Sequence, residues 1–91
     1  MELEFIEKDY GWREAKLTVN ADFNVHLEIN PEKSGRVIIG VSTVADGKPV
    51  VVYSGIVSEV FDKDFDAIVY PKYVTIKIDV PVLRGVVTEA T

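Results

Sequence analysis

The chain has 91 residues, no cysteine and a net charge of −5. That length predicts one small domain spanning 1–91 with a core that needs no staples, and the missing cysteines exclude disulfides and thiolate metal sites. Lys and Arg are scattered rather than clustered, which argues against nucleic-acid binding and against attraction to anionic membranes.

The apolar residues are mostly branched at Cβ, with 16 Val and 8 Ile against 4 Leu and 5 Ala. Such side chains suit a pleated surface better than a helix, so the composition predicts mostly β structure.

In chain order, ELEFIE reads as a first strand with Leu3 and Phe5 inward. AKLTVN alternates, with Ala15, Leu17 and Val19 inward, and FNVHLEI alternates again through Phe23, Val25, Leu27 and Ile29. Period two with one apolar face is the pattern of a half-buried strand. Asn20-Ala21-Asp22 between them reads as a hairpin link. Asn30 to Gly35 is a loop by its Pro, Asn, Ser and Gly. RVIIGVSTV is apolar on both faces, as in a central strand. Asp46-Gly47 predicts a two-residue type I′ hairpin. PVVVY returns from it, Ser54-Gly55 breaks the run, and IVSEVF resumes it.

YVTIKIDV then places Val74, Ile76, Ile78 and Val80 inward, and VLRGVVTEA reads as a final strand. Seven to eight strands with turn signals about every ten residues predict a single antiparallel β-sandwich, immunoglobulin-like or jelly-roll.

One window departs from this pattern. Phe61, Phe65, Ile68 and Val69 share a helical face, Ser58 is a cap residue and Pro71 a stop, so a short helix or turn near 59–69 is the alternative to a strand. The same window holds FDKDFD, with Asp62, Asp64 and Asp66 at alternate positions, as calcium loops begin. The EF-hand pattern fails, because Ala67 stands where Gly is needed and Tyr73 where the bidentate Glu is needed. A solvated acidic turn is the expectation, and a looser metal loop on these aspartates is its rival.

His26 is the sole histidine and shares the polar face of its strand with Asn24 and Glu28. With no third ligand in view, it reads as an exposed residue on a wet sheet face. There is no cysteine nucleophile, no G-x-S-x-G elbow and no glycine-rich phosphate loop. The expectation is a non-enzyme, and no motif requires a cofactor.

Aromatic residues are the other candidates. Tyr10 and Trp12 flank Gly11, and Tyr53, Tyr70 and Tyr73 lie further on; exposed rings of this kind can stack against a glycan. The apolar strands RVIIGVSTV and PVVVY raise a different prospect. Either one, placed at a sheet edge, needs cover from another subunit or a partner chain.

The leading expectation is therefore a non-catalytic structural or interaction module with a protein partner or a homo-oligomeric state. A small subunit of a bacterial surface structure or phage particle is the kind of protein this suits. A carbohydrate-binding module is the rival. The start MELEF lacks the basic and apolar regions of a signal peptide, and no apolar run reaches the ~18 residues of a membrane span. Cytoplasm or virion is the expected location if that start is native.

Overall fold

The computed structural model describes residues 1–66 and 72–90. Two antiparallel sheets face one another as a β-sandwich. The strands are β1 (Ile6–Glu7), β2 (Arg13–Val19), β3 (Phe23–Ile29), β4 (Ser34–Ser42), β5 (Val50–Ser58), β6 (Val60–Phe65), β7 (Lys72–Ile78) and β8 (Val82–Glu89). One sheet runs β1-β2-β7-β4-β5 and the other β6-β3-β8.

The alternation of the sequence sets the faces. Val19, Phe23, Val25, Leu27, Ile29, Val37, Ile39, Val57, Val74, Ile76, Ile78 and Val87 are at most 3% exposed and meet between the sheets. Cross-strand register puts apolar side chains opposite one another, as at Ile39↔Ile76 and Leu17↔Val74. Facing pairs of this kind stabilise a sheet more than strand propensity does.

Most connections cross from one sheet to the other; β1–β2 and β4–β5 stay within one. If β2 to β8 are taken as the seven strands A to G of an immunoglobulin sandwich, the central pairs β3–β6 and β4–β7 match B–E and C–F. The flanks are exchanged: β2 lies against β7 and β8 against β3.

Several local expectations are corrected. Asn20–Asp22 is not a hairpin, because β2 and β3 belong to different sheets; the link crosses the sandwich, tied by Asn20 N to Glu89 Oε1 and by Ala90 N to the Asp22 carbonyl. Asp46-Gly47 is not a two-residue type I′ turn. Asp46 has φ 59, but among the glycines only Gly11 has positive φ, and the turn Gly47 N to Val44 O sits within a longer connection over 43–49. That connection closes tightly because Gly40 has no side chain: a Cβ there would lie 2.7 Å from Pro49 Cβ.

Ser54-Gly55 does not break the chain, and β5 runs through it to Ser58. The break is one residue later, at Glu59, with φ 67. Its carbonyl accepts from Ile29 N at 2.9 Å, which anchors the corner to the end of β3. The alternative of a helix or turn near 59–69 gives way to a strand through Phe65. Phe61 and Phe65 also fit period two through Lys63, and their pairing with β3 as Leu27↔Phe61 and Phe23↔Phe65 decides for the strand. Ile68 and Val69 lie outside the described residues.

Candidate functional site

The two lateral sides of the sandwich are built differently. On one side, residues 1–7 run along the opening. Leu3 N donates to the Gly85 carbonyl and Val87 N to the Met1 carbonyl, both at 2.9 Å, so the outer edge of β8 is paired. The same segment then pairs with the start of β2 as β1. Leu3 and Phe5 fold onto the core, and Gly85 makes room for them: a Cβ there would lie 3.1 Å from Phe5 Cε2 and 3.3 Å from Leu3 Cδ1.

On the other side, β5 and β6 are the last strands of their sheets. Val50, Val51, Val52, Ile56 and Val60 stand exposed along it, Ile56 at 73%. β4 occupies one edge of β5, and among the described residues nothing pairs with the other. Residues Val50–Ser58 carry no charged side chain. A bulge where Ile39 meets Tyr53 and Gly40 meets Val51 leaves Val52 extra, and the run from Tyr53 to Ser58 pairs regularly.

The aromatic candidates are dispersed. Tyr10 is 97% exposed and holds φ 62, ahead of Gly11 at φ 79. Trp12 is half-buried beside an open recess of about 440 Å³ lined also by Lys8, Asp9, Arg13, Glu14, Ile38 and Lys77. Tyr73 is half-buried on the same outer face but pairs opposite Thr18, at the far end of β2. That places it about 20 Å from Trp12 at the usual strand rise. Tyr53 faces the core side, with its ring centroid 5.1 Å from that of Phe61 and the Lys63 ammonium 5.6 Å from its centroid. Tyr10 is not among the residues that line the recess, and Tyr53 and Tyr73 lie apart from Trp12. Tyr70 is outside the described residues.

The aspartates of FDKDFD do not form a turn. Asp62 and Asp64 point outward from β6 beside β3, in register with His26 and Asn24. Asn24 Nδ2 donates to Asp62 Oδ1 at 2.7 Å and to Asp64 Oδ1 at 2.9 Å. His26 Nδ1 lies 2.7 Å from Asp62 Oδ2, and Nε2 lies 2.7 Å from Glu28 Oε2. Arg84 on β8 reaches Glu28 at 3.9 Å. The result is a polar ladder across all three strands of the smaller sheet. Asp66 lies beyond the end of β6, exposed. Among the described residues no group of three or more His, Asp and Glu is arranged to hold a metal ion.

With a carboxylate at each ring nitrogen, His26 makes both bonds only as the imidazolium. The hydrogen bond to Asp62, and then that to Glu28, raises its pKa above the ordinary 6.5. Asp62 is lowered in turn, first by Asn24 and then by His26. An imidazolium bound at both nitrogens has no lone pair for base catalysis or metal ligation. While His26 is protonated, the ladder is an ionic clasp between β3 and β6.

No protein-family model matches the chain, and no curated protein or solved structure matches it.

Sequence reading leaves two features open. The sequence sets His26 beside Glu28 but not opposite Asp62, because that contact depends on β3 pairing with β6. PVVVY and RVIIGVSTV are both edge candidates in the sequence, and only strand pairing decides that β5 is the edge and β4 central. The uncharged run 49–58 gives no signal of its own for an edge, because the run 37–45, which begins on the central β4, is uncharged as well.

Proposed function

We propose that this chain is a non-catalytic interaction module that joins a larger assembly by strand addition along β5. The observation that supports the reading is the uncharged, apolar β5, paired on one edge alone among the described residues, on a molecule whose opposite side is covered by its own residues 1–7. Unpaired N–H and C=O groups supply affinity, and alternate side chains supply specificity. The doubly engaged His26 supports the non-catalytic part, since it is the sole histidine and both of its nitrogens are occupied.

A photo-cross-linking residue placed at Ile56 tests this in cells that express the chain. The expected result is a discrete cross-linked product from position 56 and none from Thr18 on the outer face. Equal products from both positions, or none from position 56, would sink the reading.

The Trp12 recess favours a second reading, a small glycan site with the indole as platform, Lys8, Asp9 and Glu14 as polar rim, and the exposed Tyr10 two residues away in sequence as a further ring. It predicts that Trp12 fluorescence shifts with added oligosaccharide and that Tyr10→Ala abolishes the shift. Unchanged fluorescence across a glycan panel removes it.

A further inference from the structure

We infer that the strand added to β5 is β5 of a second copy of this chain, antiparallel, about a two-fold axis near Ser54. The inference rests on the strand-addition reading above and names its partner.

Charge placement carries it. β5 itself is uncharged, so no like charges meet along the strand even though each chain carries −5. The charges just outside it are opposite in sign at its two ends: Lys48 precedes the strand and Glu59 follows it. Both are exposed. An antiparallel two-fold about Ser54 sets Lys48 of each copy opposite Val60 of the other, one residue from Glu59, twice over, as an isologous interface requires. A parallel seam sets like charges together at both ends.

The apolar side chains obey the same symmetry. Ser54 is the midpoint of Val50–Ser58, and the exposed Val52 and Ile56 stand two residues to either side of it. The axis therefore lays Val52 of one copy beside Ile56 of the other, and facing β-branched pairs stabilise such a seam. The two five-stranded sheets become one continuous sheet across the axis.

The purified protein tests this by size-exclusion chromatography with light scattering over a dilution series. The expected mass is twice the 10.1 kDa of one chain, falling to one chain on dilution. Ile56→Lys sets two ammonium groups in the seam and should raise the dimer dissociation constant at least about 100-fold, as for a central residue of an interface. At dilutions where both proteins are single chains its melting temperature should match that of the wild type, because the side chain is exposed there.

Lys48→Glu should weaken the dimer about tenfold, since two rim pairs reverse sign. The double exchange Lys48→Glu with Glu59→Lys should return it to near wild type, a rescue that no parallel or unrelated seam gives. A single-chain mass at every concentration, or a dimer indifferent to Ile56→Lys, overturns the inference. A single-chain mass together with cross-linking from position 56 to a different chain overturns the second copy alone. No cross-linking from position 56 overturns the module reading as well.

Discussion

β5 and β6 are consecutive strands, joined by one residue at Glu59, and each is the last strand of its sheet. They are protected in opposite ways. β6 carries Asp62 and Asp64 outward, bonded into the ladder, and Lys63 on the side of Phe61 and Phe65 with its ammonium emerging over Tyr53. Outward charges and an inward-pointing lysine both make an edge costly to extend. β5 has only its bulge at Val52 and Pro49 ahead of it, and no charge in nine residues. An edge defended with three charges lies beside one defended with none, so the missing defence is confined to β5. That contrast separates a surface kept available from a general tolerance of exposed valine.

The comparison can be broken most forcefully from inside. Phe61 is the buried anchor of β6 and packs against Tyr53 of β5. Phe61→Ala should cost about 4 kcal/mol by chemical denaturation, as truncation of a buried aromatic does. A cost below about 1 kcal/mol would mean that the two strands are not packed as described.

Removing residues 1–5 tests the contrast between the two sides. It strips Leu3 and Phe5 from the core and frees the β8 edge, and should cost about 2–3 kcal/mol from the apolar area re-exposed. It should also produce species larger than those of the intact chain, because a second edge is then open. An unchanged mass distribution would show that residues 1–3 do not guard that edge.

The ladder gives a smaller effect with a definite sign. The folded pKa of His26 is raised, so the clasp is fully present below the unfolded value of 6.5 and is lost as pH rises through the folded pKa. Asp62 is lowered, so its contribution is present above the ordinary 3.8 and is lost as pH falls through its folded value. The His26 ring resonance, followed by NMR, should titrate above 6.5 in the intact chain and closer to it in Asp62→Asn. A midpoint at or below 6.5 contradicts the doubly bonded geometry.

The smallest expected effect is at the seam itself. Ile56→Ala should change the stability of the single chain by less than about 0.5 kcal/mol, as exposed positions do. A large loss would mean that Ile56 is buried in the isolated chain, and β5 would cease to be an open edge.

How much of this was legible depends on range. Period-two alternation marked the inward residues of β2, β3 and β7 correctly, because facing is decided within each strand. The FDKDFD window was misread because Phe61 and Phe65 satisfy periods of both two and four, and only pairing with β3 separates them. The partner of His26 and the separation of Tyr53 from Trp12 were invisible for the same reason: they are set by which strands adjoin.

The sequence by itself determined an all-β chain, its inward faces and the two-sided apolar character of β4 and β5, since these follow from Cβ branching and alternation. Only the tertiary structure decided that β4 is central and β5 an edge, that residues 1–7 close one side, and that His26 is clasped by Asp62. Most connections cross between the sheets, so neighbours in the chain are seldom neighbours in a sheet. Strand order is a property of the packed whole.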